Sequence, residues 1–117
     1  MITKALIFIT AIMFWFVQGF SVQTTQDQSQ NKSAEFKVYG ECGMCKTRIE
    51  NAAKIEGVKS ATWDKETQML KIDFNPSTVK LTDIHKSIVK VGHDTDKEKA
   101  QDEIYKKLPA CCKYERP

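Results

Sequence analysis

Along the chain the apolar residues change spacing several times, and each change marks an element. Residues 34–40 (AEFKVYG) alternate: Phe36 and Val38 share one face, and Lys37 and Tyr39 share the other. That period of two predicts a first strand. From Cys45 the spacing becomes helical, with Ile49, Ala52 and Ala53 on one face and Ile55 near the end. Glu56-Gly57 stops this helix, because glycine takes the exit conformation without strain. Residues 58–64 (VKSATWD) alternate again, pairing Ala61 with Trp63. After the turn signal DKETQ, residues 69–74 (MLKIDF) place Leu70, Ile72 and Phe74 opposite Lys71 and Asp73. Two strands so close in sequence form an antiparallel hairpin. Asn75-Pro76 breaks the chain, and LTDIHKSIVKVG then reads as a second helix. Thr82 is its expected N-cap, Asp83 suits its positive end, Ile84, Ile88 and Val91 form its stripe, and Gly92 ends it. Residues 93–100 (HDTDKEKA) read either as a short polar edge strand or as a lead into the next helix. Residues 101–108 (QDEIYKKL) have helical spacing, and Pro109 stops them.

This order of strand, helix, strand, strand, helix, short strand and helical tail is an α+β arrangement. It matches the split βαβ motif, an antiparallel sheet with both helices on one face. Right-handed crossovers leave few other topologies.

The N-terminal residues follow a different logic. Met1–Lys4 carries one basic side chain, Ala5–Val17 is apolar apart from Thr10, and Gly19 and Ser21 are small. This is the pattern of a secretory signal peptide over residues 1–21. The run is shorter than the roughly 20 residues a spanning helix needs, although an uncleaved membrane anchor is the alternative. Residues 22–33 are rich in Gln, Ser and Thr, which predicts a disordered linker. Residues 34–100 then form one small domain with a thin core, and residues 101–117 a helical tail with Cys-Cys. Among 117 residues, 18 Lys and Arg face 15 Asp and Glu, interspersed along the chain, so no nucleic-acid footprint is present.

All four cysteines, Cys42, Cys45, Cys111 and Cys112, fall after the signal-like segment. Export to an oxidising compartment keeps disulfides open as a reading. The spacing argues against staples within each pair, however, and only cross-pairing of the two clusters would staple the fold. A Cys42–Cys45 bridge closes a very short loop, and a bridge between adjacent Cys111 and Cys112 is strained. Cys42 and Cys45 lie instead at the first turn of a helix, where free backbone N–H groups stabilise a thiolate.

The constellation of a C-x-x-C loop after strand one, EGV at residues 56–58 after the helix, a hairpin, and a second helix closed by Gly92 resembles the heavy-metal-associated domain. Copper chaperones and the periplasmic mercury-binding protein have that domain. The resemblance covers about residues 35–100. It implies a ferredoxin-like βαββαβ fold that holds a soft metal ion between two thiolates, and Cys42 and Cys45 match those ligand positions. His93 stands where the bacterial pattern has tyrosine after the helix-closing glycine. The loop departs from the common G-M-x-C-x-x-C: here it reads GECGMC, with Gly40 nearer the first cysteine and Met44 between the two. The ending CCKY resembles a subgroup of exported proteins with a CC-x-Y tail.

Two thiolates suit Cu(I), a soft d10 ion that accepts low coordination, and Hg(II) is similar. Zn(II) wants four ligands and needs Cys111, Cys112 or His93 to join. If the last strand runs away from the loop and the following helix runs back, the tail cysteines return to Cys42 and Cys45. A composite site of three or four sulfurs is then reachable; the alternative is an independent surface pair. The remaining side chains have plainer readings. His93 is a ligand or a cationic cap of helix two. Met44 is a gap-filler in the core or a nearby thioether. His85 is solvated surface, and Trp63 and Phe74 are core. Lys46 and Arg48 are positioned to offset the charge of a thiolate site.

The expected function is therefore that of an exported, non-enzymatic metal chaperone or buffer working by thiolate ligand exchange with a membrane metal transporter or efflux component. A monomer is expected, with a metal-bridged dimer as the alternative state. Periplasmic or secreted location follows from the signal-like segment. The rival function is thiol–disulfide exchange through Cys42 and Cys45, since C-x-x-C at a helix start is also a redox signature. A purely structural domain ranks last, because it leaves the doubled cysteine pairs unexplained.

Overall fold

The computed structural model describes residues 31–117. The expectations for the signal segment, 1–21, and for most of the linker, 22–30, lie outside the described residues. The elements are β1 (Lys32–Lys37), α1 (Gly43–Ala53), β2 (Val58–Trp63), β3 (Met69–Phe74), α2 (Leu81–Val89), α3 (Asp102–Lys106) and a 3-10 turn (Ala110–Cys112). Strand one thus begins two residues earlier than its alternation suggested.

The sheet order is β1-β3-β2, antiparallel throughout. The helices pack on one face of this sheet, as in the ferredoxin-like fold. Alternation places Phe36 and Val38, Ala61 and Trp63, and Leu70, Ile72 and Phe74 on the covered face, where they meet Ile49 and Ala53 of α1 and Ile84 and Ile88 of α2. Each such large side chain, fully buried, contributes about 1.5–3 kcal/mol. The opposite face is polar. There Asp73 accepts hydrogen bonds from the hydroxyls of Ser33 and Ser60.

The 93–100 segment is not the edge strand that the βαββαβ order predicts. It contributes one isolated bridge, Val38 to Thr95. The segment lacks alternating apolar residues, and its side chains bond its own backbone instead. Thr95 Oγ1 accepts from the N–H groups of Lys97 and Glu98, and Asp94 Oδ1 accepts from Ala100 N–H at 2.7 Å. Such local capping competes directly with a sheet ladder.

Two other local readings change. The N-cap of α2 is Lys80, two residues before Thr82, and the Asp83 carboxylate accepts the Lys80 N–H. His85 is buried, not solvated. Its ring stacks on Phe36 at 3.9 Å, and Nδ1 meets Thr95 Oγ1 at 2.6 Å. Burial pushes its pKa down, outweighing the opposite pull of Asp96 and Glu98. Among the described residues no helix is long and apolar enough to cross a membrane.

Candidate metal centre

The loop between β1 and α1 is held from three sides. Val38 N–H bonds Gln68 O at 2.9 Å, and the Gln68 carboxamide donates to Gly40 O at 2.6 Å. Trp63 Nε1 donates to Val38 O at 2.9 Å. Gly40 passes so close to its neighbours that an added Cβ would lie 3.1 Å from both the Cys45 Cβ and the Trp63 ring. The glycine in its shifted position is therefore what lets this loop lie flat against the first helical turn. Cys42 occupies the N-cap of α1 in extended conformation, and Cys45 sits one turn in, fully buried.

The tail returns to this loop. α3 is short, and Leu108 packs into the core. The 3-10 turn then delivers Cys112, fully buried, and Cys111, exposed. Three contacts from Cys42 Sγ define the centre: 3.3 Å each to the sulfurs of Cys45, Cys111 and Cys112. The sulfurs of Cys42, Cys45 and Cys112 all lie within 4.8 Å of one another. The structure thus brings together all four cysteines, and all are free thiols.

Their protonation is uneven. Partial burial opposes charge on Cys42, but the backbone N–H of Cys45 and the thiols of Cys112, Cys111 and Cys45 outweigh it and lower its pKa to about 6. Burial first, then the neighbouring sulfurs, push the Cys112 thiol up. Cys111 is also raised, mainly because its thiol hydrogen bonds Cys42.

His93 is close to the loop but outside the three-sulfur group. Its Nδ1 lies 2.8 Å from Tyr39 O; a carbonyl only accepts, so Nδ1 carries the proton. Nε2 is buried with no partner. Burial, above all, lowers its pKa, so the ring is neutral and not the cationic helix cap anticipated from its position. Met44 does not fill the core. It is 54% exposed, and its Sδ lies 3.6 Å from Cys111 Sγ. Lys46 turns away toward β2, pairing with Glu50 and donating to Trp63 O, so it does not serve the sulfurs. Arg48 Nη1 is buried without a partner.

What pins the tail was not foreseen. Tyr114 is buried, its hydroxyl donating to Gly92 O and accepting Asp94 N–H, both at 2.8 Å. Its ring lies 5.4 Å from His93 and edge-on to Tyr105 at 5.0 Å. The Arg116 guanidinium grips the buried Asp94 carboxylate through two bonds, 2.8 and 2.9 Å, and also bonds Asp102 and Ala100 O. Burial works against charge on Asp94, but Arg116 and the Ala100 N–H more than offset it, so the pKa is lowered. A tyrosine two residues after the Cys-Cys pair, followed two later by arginine, was the available signal.

Comparison with known proteins places this geometry. The heavy-metal-associated domain matches residues 36–94, about half of the chain. A curated copper-exporting P-type ATPase of Staphylococcus saprophyticus is 35% identical over 71 residues, 59% of this chain. The match spans only 9% of that protein's length. Among solved structures, the CopZ metallochaperone aligns with a TM-score of 0.53 at 29% identity, covering 55% of this chain and 98% of its own. The N-terminal domain of a potential copper-translocating P-type ATPase from Bacillus subtilis, solved in the Cu(I)-loaded state, gives 0.54 at 30% identity, covering 63% and 95%. The C-x-x-C loop, α1, β2, β3 and α2 fall within the matched residues and β1 only at its C-terminal end, whereas α3, Cys111, Cys112 and the Tyr114–Arg116 lock lie beyond them. The chain belongs to the heavy-metal-associated domain family.

Proposed function

We propose that the protein is an exported carrier of Cu(I) that holds the ion on Cys42, Cys45 and Cys112 and passes it to a membrane metal transporter. The observation that carries this reading is the three sulfurs within 4.8 Å of one another, two of them fully buried. Three soft donors suit Cu(I) and leave a tetrahedral Zn(II) one ligand short. Hg(II) shares the preference for sulfur. The copper named for the ATPase relatives and the metallochaperone favours Cu(I) as the cargo.

The residues divide the work. Cys42, already a thiolate near neutral pH and half-buried, captures the ion first. Cys45 and Cys112 give up their thiol protons as they close around it, so binding releases protons. Release reverses the order: a cysteine of the partner adds to the metal at the Cys42 side before Cys112 and Cys45 let go. No step in this cycle makes or breaks a bond other than metal–sulfur and sulfur–hydrogen, and the protein acts as a carrier and not an enzyme. The apolar N-terminal segment supports export to the periplasm or beyond, where the chain acts as a monomer.

The test is a competition titration. The reduced chain is titrated with Cu(I), Hg(II) and Zn(II) against chelators of graded strength, alongside Cys42→Ser/Cys45→Ser and Cys111→Ser/Cys112→Ser. The first double variant is expected to lose Cu(I) binding and the second to weaken it. If the first binds Cu(I) as tightly as wild type, the reading is wrong. The low pKa of Cys42 also favours a second reading, thiol–disulfide exchange. Insulin reduction that depends on Cys42 would move the assignment there.

A further inference from the structure

Burial divides the sulfur donors into two sets, and one thiol belongs to both. Cys45 and Cys112 are fully buried on the inner side of Cys42. Cys111 and Met44 are exposed, on its solvent side. Cys42 Sγ touches both sets, 3.3 Å from each of Cys45 and Cys112 and 3.3 Å from Cys111. Cys111 Sγ in turn lies 3.6 Å from Met44 Sδ. The thioether is the unusual member. A methionine between the two cysteines of the loop is 54% exposed, without the packing role that a flexible apolar side chain ordinarily takes. Nothing in the core explains its position, while the adjacent thiol does.

We propose that Cys42, Cys111 and Met44 form a second soft-metal site, which takes a second Cu(I) and shares Cys42 with the first as a bridging thiolate. This deepens the Cu(I) reading and rests on it. A thiolate sulfur has more than one lone pair, so Cys42 can bind an inner ion with Cys45 and Cys112 and an outer ion with Cys111 and Met44. Two thiolates and a thioether are a soft donor set that excludes Mg(II) and Ca(II) and suits Cu(I). Binding the outer ion costs one proton, that of the Cys111 thiol; the Met44 thioether has none to lose. No oxidant or reductant takes part, since copper enters and stays as Cu(I). The outer ion is solvent-facing and is the one a partner reaches first. The inner ion is held behind it by buried cysteines. The centre then gives up the outer ion first and the inner ion after it.

The experiment separates this proposal from the one beneath it. The full, reduced chain is loaded with Cu(I) under a weak competing chelator in the absence of oxygen, and native mass spectrometry counts ions per chain. Wild type is expected to bind two per single chain, with a copper–copper scattering path in X-ray absorption from the bridged pair. Met44→Leu, which keeps the size of an exposed side chain, and Cys111→Ser are each expected to bind one, as tightly as the first ion of wild type, with that path gone. If wild type saturates at one ion that Met44→Leu and Cys111→Ser hold equally well, the outer site is overturned while the carrier reading stands. Two ions found only in a two-chain species would overturn it in favour of metal-bridged association. No bound Cu(I) at all would overturn both.

Discussion

Tyr114→Phe removes one oxygen atom and tests how the tail keeps Cys112 against Cys42. The ring packing survives, since phenylalanine fills the same space beside His93 and Tyr105. What is lost is a hydroxyl that donates to Gly92 O and accepts Asp94 N–H, both at 2.8 Å and both inside the protein. Each buried backbone group left without a partner costs about 1–3 kcal/mol. A water entering the gap relieves part of this, so about 2 kcal/mol is the reasonable total. For a domain of this size that corresponds to a fall in Tm of about 8–16 °C.

The same loss acts on the tail alone when it opens as a local unit. A change of about 2 kcal/mol shifts that opening equilibrium roughly thirtyfold. Cys112 is fully buried and reacts only when the tail opens, whereas Cys111 is exposed and serves as an internal control. The assay is thermal unfolding by circular dichroism with timed alkylation of metal-free, reduced protein, mapped by mass spectrometry. Cys112 should alkylate roughly thirtyfold faster in the variant, and Cys111 at nearly its wild-type rate. A Tm within about 2 °C of wild type, with Cys112 equally protected, would refute the reasoning and assign the docking to ring packing alone.

Arg116→Met leaves the Asp94 carboxylate buried without its partner, at a cost of about 3–5 kcal/mol, and should release the tail to limited proteolysis. Because the folded pKa of Asp94 is lowered, its contribution is complete above the unfolded value near about 3.9 and is lost as pH falls through the folded value. Tail release in acid should follow that course in wild type and be absent from its dependence in Asp94→Asn, as read by the Cys112 alkylation of samples returned to neutral pH after a brief acid pulse with proteolysis. Gly40→Ala drives a Cβ to 3.1 Å from Cys45 and Trp63, should destabilise by about 1–3 kcal/mol, and should shift Trp63 fluorescence; an unchanged Tm and spectrum would show that the loop yields freely. Alkylation of Cys42 in metal-free protein should follow a thiolate titration with midpoint near 6, and a midpoint near the ordinary thiol value of about 8.5 would show that the surrounding donors do not stabilise its charge.

Much of the βαββαβ frame was legible, because a period of two or of 3.6 is a local property and each core face repeats within a few residues. The failures come from groups whose partners lie far away in sequence. His85 adjoins Ile84 and precedes Ile88, so a wider apolar face on α2 was readable, but its partners Phe36 and Thr95 were not. Met44 could have been placed outside the core from spacing alone. The buried stripe of α1 is Cys45, Ile49 and Ala53, and Met44 falls off it. Residues 93–100 carry chemistry where a strand carries alternation, and Asp94 and Thr95 cap turns there. The return of Cys111 and Cys112 was reachable by length but undecidable by pattern, since it depends on Tyr114 and Arg116 finding Gly92 and Asp94.

That dependence has a consequence for metal handling. If Cu(I) is held by Cys42, Cys45 and Cys112, the ion and the docked tail stabilise each other by the same free energy, because linkage is reciprocal. A carrier with only the C-x-x-C pair has one setting, two exposed thiolates. Here the Tyr114–Gly92–Asp94 bonds and the Asp94–Arg116 pair supply a second variable, the fraction of time that Cys112 is in place. On that carrier reading, strengthening the lock retains the ion and weakening it hands the ion on. Under the proposed carrier role, retention and transfer are therefore tuned by Tyr114, Asp94 and Arg116, residues outside the sulfur group that would hold the ion.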